Sequence, residues 1–380
     1  MSISKDIFTD IQPYFPHEVP PAIERMITVP EFQKVLDYFY DKNEHEDIYN
    51  GLKKVQTGFE FQKFFMHRLI NRILELSSDG LNLKNESILK NNGPSVLLSN
   101  HRDILLDSAM LQVVLVDLGL ETSEITFGSN LMFNDFIIDF GKVNRMFTVY
   151  RDGSPRELLE KSKELSAYIH HNTKNKKVSS WIAQRKGRTK DGLDKTDTGV
   201  LKMLTMFNRK KPVEAFLEIN ILPVSVSYEW EPCDLAKVRE LFLSEKQKYK
   251  KKADEDFYSV INGIINPKGR VCMAFGKPVN EFIKDHIEKL NKQNIHQEVA
   301  SFIDEQIYKN YQLFPNNYWS YDQLNHSKQY SNEYNEETGL KMQKKLHELY
   351  DLLGEKSEEI KNRFLRLYAN PLIQKLNSVK

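Results

Sequence analysis

The sequence predicts an α/β protein, in which helices flank a central mixed sheet and further helices precede and follow it. Between about residues 81 and 280, short apolar segments alternate with helical patterns, as is typical of α/β cores. Outside these limits the strand patterns stop and amphipathic helical patterns replace them. We therefore expect an N-terminal helical region over 1–80, a sheet-containing domain over 81–280 and a C-terminal helical region over 281–380.

Individual elements follow from local patterns. Runs rich in apolar and β-branched residues predict six strands, at 95–99, 124–128, 146–150, 178–184, 221–228 and 270–275. Ser154, Pro155 and Glu157 combine an N-cap, a proline at the first helical position and a capping-box acid, so a helix is expected from there to about Ile169. Other helices are expected at 59–76, 282–290, 297–311, 340–353 and 358–368, with a polar connector around 316–337.

Composition excludes some classes of protein. The 380 residues are 40% hydrophobic, which is enough for a sizeable core, and 54 basic against 53 acidic residues leave no basic field for nucleic acid. Two distant cysteines, Cys233 and Cys272, and the absence of a leader pattern predict a reducing, cytoplasmic setting. No apolar run approaches the ~20 residues of a membrane span. These features do not specify an oligomeric state.

The first candidate for chemistry is His101, which follows an apolar strand and precedes a helical pattern. A histidine at such a junction can be oriented and made more basic by a nearby carboxylate, as deprotonation of an alcohol requires. Asp103 and Asp107 are both within reach along the chain. The alternative for an isolated histidine is a capping role, satisfied by a backbone carbonyl.

Three later stretches add binding groups, at 141–151, 182–192 and 221–229. Arg145 and Arg151 lie on either side of a strand in the first. The second ends a strand in a turn around Gly187 that is rich in cations, and such a turn can bind phosphate through guanidinium groups and backbone amides. The third is an apolar strand with Pro223, able to border an acyl chain. Taken singly, these are also explained as surface arginines, a solvated loop and a core strand.

Together and in this order, the four stretches resemble the glycerophosphate and lysophosphatidate acyltransferase superfamily. Its blocks are a His-x4-Asp motif, a Gly-x-x-Phe-Ile-x-Arg block, a Glu-Gly-x-Arg block and an apolar strand with proline, and the resemblance covers about residues 85–280. It implies a catalytic domain that transfers a fatty acyl group from acyl-CoA or acyl-carrier protein to a hydroxyl of glycerol 3-phosphate, lysophosphatidate or a related lysolipid, in phospholipid biosynthesis. No metal or other cofactor is implied.

The resemblance also implies roles for single residues. His101 would act as the base, with Asp107 or Asp103 holding its imidazole, and Arg151 and the Gly187 turn would bind the polar head of the acceptor. Residues expected to contact the substrates are Asn100, Arg102, Arg145, Arg151, Lys186, Gly187, Arg188, Thr189 and Pro223.

The sequence departs from the family pattern in two places. Five residues, not four, separate His101 from Asp107. A one-residue bulge would restore the pairing with Asp107 and leave Asp103 as an acid at the helix N-terminus, and we favour this assignment. Lys186 stands where the family has a glutamate. It either strengthens the attraction for an anionic head group or removes a carboxylate that positions Arg188.

Two further points concern partners and alternatives. The segment 59–76 mixes a Phe/Leu face with Lys63, Arg68 and Arg72, which fits an interfacial helix or, as we favour, a core helix. Lipid substrates predict a peripheral position at the cytoplasmic face of the membrane. The competing function is a non-catalytic lipid- or partner-binding protein of the same fold; a serine hydrolase is disfavoured because no Gly-x-Ser-x-Gly turn is present. The charge run 246–256 is interpreted as a solvated helix end.

Overall fold

The computed structural model describes residues 8–246 and 255–378; of Asp256 and Phe257 only the backbone is described. Its strands are β1 (Leu81–Lys84), β2 (Val96–Ser99), β3 (Glu124–Gly128), β4 (Met146–Val149), β5 (Ser180–Ala183), β6 (Ile221–Tyr228) and β7 (Val271–Phe275). They form one sheet in the order β1-β7-β6-β2-β5-β3-β4. Neighbouring strands are parallel except for β6 and β7. The α/β class with a mixed sheet is confirmed.

Helices surround this sheet on both faces. Before β1 lie α1 (Val19–Ile27), α2 (Pro30–Phe39), α3 (Lys42–Leu52), α4 (Gly58–Phe61) and α5 (His67–Ser77), with a π-helical turn, Gln62–Met66, joining the last two. Between strands lie α6 (Glu86–Asn92), α7 (Leu106–Asp117), α8 (Asp135–Val143), α9 (Pro155–His171), α10 (Thr198–Leu204), α11 (Pro212–Ile219), α12 (Asp234–Lys246) and α13 (Glu255–Ile265). After β7 lie α14 (Val279–Asp285), α15 (Ile295–Asn310), α16 (Pro315–Leu324), α17 (Glu336–Leu353) and α18 (Glu358–Ser378). Within the described ranges, no helix combines the length and apolarity needed to cross a membrane.

The predicted strands are all present, and the differences from the sequence prediction are local. The strand β1 was not predicted, because only Leu81 and Leu83 of its four residues are apolar and both are half-buried. The expected connector at 316–337 is wrong at its start, where α16 forms. Sequence reasoning missed α16 because its buried face includes polar residues, so the usual apolar pattern of a helix is absent. These residues are Asn316, Asn317, Ser320 and Asp322. Most of the charge run 246–256 lies outside the described residues, and the division at residues 80 and 280 stays a prediction.

The segment from Gly58 to Ser77 is a core element. Its apolar side chains pack under the sheet with those of α7, and Phe61, Phe65, Ile70 and Ile73 are each at most 1% exposed. Because this face is already covered by protein, it is not available to a lipid surface. The core alternative is therefore correct for this helix.

Strand β2 fixes the position of the candidate site. All four of its residues are buried, and it lies between β5 and β6, with Leu97 opposite Trp181 and Leu222. The strands β2, β3, β4 and β5 run in the same direction, so their carboxyl ends meet at one edge of the sheet. Ligands of open α/β sheets bind at such an edge.

Candidate active site

A pocket of about 170 Å³ lies at this edge, between the ends of four parallel strands. The segment after β2 supplies His101, and the end of β3 supplies Gly128. Arg151 follows β4, and Arg188 follows β5. Trp181 of β5 forms part of the wall, and its ring meets that of His101 edge to face at 5.8 Å. The topology therefore brings residues from distant parts of the chain to one cavity.

His101 is held by Asp107. The distance from His101 Nδ1 to Asp107 Oδ2 is 3.0 Å, and the carboxylate is fully buried. Since a carboxylate only accepts hydrogen bonds, Nδ1 holds the proton of the neutral ring. No described residue forms a hydrogen bond with Nε2, and His101 lines the pocket. The second ring nitrogen is thus able to accept a proton from a bound molecule.

The Asp107 carboxylate receives three further hydrogen bonds. The backbone N–H groups of Arg102 and Asp103 donate to Oδ2 at 2.6 and 2.9 Å, and the Tyr228 hydroxyl donates to Oδ1 at 2.8 Å. Burial, together with the charge of Asp107, raises the pKa of Tyr228 well above its ordinary value, so the phenol remains a donor. Sequence reasoning missed Tyr228. The one feature that could have indicated it is its position, as a tyrosine at the end of an apolar strand.

Asp103 has a different role from Asp107. Its Oδ1 accepts from the N–H groups of Leu105 and Leu106 at 2.9 and 2.8 Å, at the N-terminus of α7. The extra residue between His101 and Asp107 lies in the segment that precedes this helix. Asp103 Oδ2 is buried without a hydrogen-bond partner in the described part of the chain and abuts Gly263. Burial, and then the nearby Asp107, raise the pKa of Asp103.

Three cations of the pocket lining, Arg151, Arg185 and Arg188, and a fourth in the adjacent cleft, Lys186, form no salt bridge with a described residue. Arg151 and Lys186 are exposed, Arg185 is half-buried, and Arg188 is only 9% exposed. Arg188 Nη1 is buried and has no hydrogen-bond partner among those residues. Lys190, which also lines the pocket, is paired with Glu240. Uncompensated positive charge in a concave site favours an anionic ligand.

The turn that includes Arg188 is fixed to the histidine segment. Thr189 N–H donates to the His101 carbonyl at 2.9 Å, and Gly187 adopts a positive φ of 74°. Thr189 does not line the pocket, and its hydroxyl donates a hydrogen bond to the Leu193 carbonyl at 3.1 Å. Of this turn, Gly187 and Arg188 line the pocket, whereas Lys186 lines an adjacent cleft of about 330 Å³.

Two further predicted substrate contacts, Arg145 and Pro223, lie away from the pocket. Arg145 precedes β4 and lies at the opposite edge of the sheet, where it binds the Thr122 carbonyl at 2.9 Å and Glu121 at 3.0 Å. Pro223 is buried within β6, close to Gly276 and Gln306. Arg145 is separated from Arg151 because the two residues lie at opposite ends of β4, whereas Pro223 lies inside the sheet beside Leu98.

Asn100 and Arg102 belong to a buried polar network behind the pocket. Asp194 Oδ2 accepts from Asn100 Nδ2 at 2.9 Å, from Arg102 Nη2 at 2.6 Å and from the Tyr311 hydroxyl at 2.6 Å. Glu231 pairs with Arg102 at 3.1 Å and with Lys237 at 2.6 Å. Two cations and two carboxylates compensate each other there, so this network fixes the residues on either side of His101. Sequence reasoning missed Asp194 and Glu231, because neither belongs to a recognisable sequence motif.

Comparisons with known proteins add one finding at the level of the fold. No protein-family model matches the chain, and no curated protein matches it. Among solved structures, it is similar to the 1-acyl-sn-glycerophosphate (LPA) acyltransferase PlsC from Thermotoga maritima. The TM-score is 0.35 and the sequence identity 13%, over 75% of this chain and 95% of that chain. A likeness this weak gives no argument about function, which has to come from the geometry of the site.

The raised pKa of Asp103 predicts how stability depends on pH. The folded protein binds this proton more tightly than the unfolded chain, in which an aspartate ionises near pH ~3.9. Ionisation at higher pH therefore weakens the folded state. The free energy of unfolding of wild type and of Asp103→Asn, which cannot ionise at this position, can be measured by urea denaturation. As the pH rises from about 4 to 8, we expect the value for wild type to decrease relative to that for Asp103→Asn. A difference that stays constant or changes in the opposite direction would contradict this account.

Proposed function

We propose that the protein is an O-acyltransferase in which His101 is the general base. One observation supports this most: the Nδ1 of His101 is held by a buried carboxylate, and the rest of its ring lines a pocket with uncompensated cations. A base needs a fixed ring and a free nitrogen, and an acceptor with a phosphate needs positive charge nearby. Both requirements are met within one cavity.

The reaction would proceed in two balanced steps. Nε2 of His101 takes the proton of the acceptor hydroxyl while the oxygen attacks the thioester carbonyl, which forms a tetrahedral oxyanion. Collapse of this intermediate breaks the carbon–sulfur bond, and the departing sulfur takes the proton from the imidazolium. The products are an ester and a free thiol. Asp107 holds the ring and stabilises its transient positive charge, and Tyr228 and two backbone N–H groups fix Asp107.

The cations suggest the chemistry of the acceptor. A guanidinium group binds two phosphate oxygens at once, and Arg188 has a free buried nitrogen close to His101. Arg151 faces the same pocket from β4. We infer an acceptor that combines a hydroxyl with a phosphate, such as glycerol 3-phosphate, lysophosphatidate or a related lysolipid. The proposal therefore includes a role in membrane phospholipid synthesis and a position at the cytoplasmic face of the membrane.

The adjacent cleft suits the acyl group of the donor. Its walls include the apolar side chains of Leu158, Leu165, Ile182, Val200 and Met203. Val149 and Ala183 line both this cleft and the His101 pocket, so the two spaces adjoin. The donor in this proposal is an acyl thioester, acyl-CoA or acyl-carrier protein, and no metal or other cofactor is invoked.

Removal of the base gives the first test of the enzyme. We expect His101→Ala to lower transfer from a labelled acyl thioester by about 10²–10⁴-fold, because this is the usual contribution of general-base catalysis. The matched control is His286→Ala, which removes an exposed histidine far along the chain from the pocket residues. The assay measures labelled lipid product over a panel of phosphate-bearing acceptors. Equal turnover by the two variants would contradict the role of His101, and wild type without any product would favour a non-catalytic lipid-binding protein.

The phosphate site can be tested through Arg188. A hydrogen bond to a charged group contributes about 1.5–3 kcal/mol, and about 1.4 kcal/mol corresponds to a tenfold change. Arg188→Gln should therefore raise the KM for a phosphate-bearing acceptor about 10- to 100-fold. An uncharged monoacylglycerol should show no such change. Arg209→Gln, at an exposed arginine outside the pocket lining, is the control. An equal effect on both acceptors would exclude phosphate recognition by Arg188.

The variant Lys186→Glu, in the same assay, distinguishes the two interpretations of the lysine that stands where the family has a glutamate. If the lysine belongs to a head-group site, the variant weakens the use of phosphate-bearing acceptors. If the natural protein is impaired by the loss of the family glutamate, turnover rises sharply.

A further inference from the structure

A partly exposed apolar segment borders the mouth of the His101 pocket. The chain leaves β3 at Gly128 and reaches α8 through Leu131, Met132 and Phe133, which we call the apolar loop. Leu131 lines the pocket, and Phe133 is 61% exposed. Two residues at the start of α8, Phe136 and Ile137, are also only partly buried. Phe133 is the exposed member of this group, and the other four are half-buried. Apolar side chains that stay partly uncovered together beside a functional site mark an interaction surface more often than isolated ones do.

Positive charge adjoins the apolar loop. The side chain of Arg151 lies against Gly128, where an added Cβ would be 3.0 Å from its Nε, so the guanidinium is close to the start of the loop. Arg151 also shares the pocket lining with Leu131. Two exposed acids, Asp135 and Asp152, occur nearby in the chain. They are outnumbered by the four cations that form no salt bridge with a described residue, three in the pocket lining and Lys186 in the adjacent cleft. The mouth thus combines apolar side chains with an excess of positive charge.

We propose that the apolar loop inserts into the surface of an anionic lipid bilayer, with Arg151 and Lys186 facing the headgroups. Aromatic and aliphatic side chains flanked by cations have the chemistry of interfacial membrane contacts. The helix from Gly58 to Ser77 does not provide such a contact, because its apolar face is buried in the core. This inference rests on the proposed function, and it means that a lipid acceptor passes from the bilayer into the pocket without crossing water.

The test is sedimentation with phosphatidylcholine vesicles, with and without phosphatidylglycerol. Wild type should bind the anionic vesicles more strongly, and Phe133→Asp should weaken that binding at least tenfold. The control is Tyr38→Asp, because Tyr38 is an aromatic residue of α2 with a matching exposure of 62%. All variants are first compared with wild type by circular dichroism. Equal vesicle binding by Phe133→Asp and wild type would overturn the proposal.

A second measurement distinguishes this inference from the proposed function. Acyl transfer is compared for a short-chain, water-soluble lysolipid and for a long-chain one embedded in vesicles. Phe133→Asp should retain transfer to the soluble acceptor and lose transfer to the embedded one. If wild type binds vesicles through Phe133 but transfers no acyl group, the proposed acyltransferase function is wrong and the membrane-binding surface is retained. Normal vesicle binding with a specific loss of transfer from acyl-carrier protein would overturn the inference and assign the surface to a protein donor.

Discussion

The candidate site depends on the buried carboxylate of Asp107. It receives four hydrogen bonds, from His101 Nδ1, two backbone N–H groups and the Tyr228 hydroxyl. A charge removed from water is tolerated only when its hydrogen-bonding capacity is met, so this carboxylate ties the segment after β2, the first turn of α7 and the end of β6 into one arrangement. The orientation of His101 follows from that arrangement.

Charge is distributed unevenly around this centre. Behind the pocket, Arg102 and Lys237 are matched by Asp194 and Glu231, and the resulting network has a structural role. At the pocket itself, Arg188 is almost as buried but forms no salt bridge within the described chain, although Asp103 is close enough for the two charges to interact. A buried cation without a salt-bridge partner costs free energy, which an anionic ligand would offset. In our proposal, Arg102 therefore has a structural role and Arg188 binds the ligand.

Much of the fold was predictable because buried parallel strands have apolar sequences of the right length. His101 and Asp107 were predictable as a pair because both lie at one strand–helix junction, close together in the chain. The structure separates Arg145 from Arg151 because the two residues are at opposite ends of β4, and spacing in sequence does not express strand direction. Tyr228 was missed because its partner is 121 residues away. A sequence pattern predicts local structure, whereas contacts between distant residues, such as Tyr228 with Asp107, depend on the order and direction of the strands.

The central claim is that Asp107 holds His101 with its proton on Nδ1 and leaves Nε2 free. Nitrogen-15 NMR of the imidazole in wild type, with His101→Ala to assign the signals, tests this directly. The account predicts a protonated Nδ1 and an unprotonated Nε2 in the neutral ring, and a mixture of tautomers in Asp107→Asn. A wild-type ring protonated on Nε2, or a ring unaffected by Asp107→Asn, would contradict it.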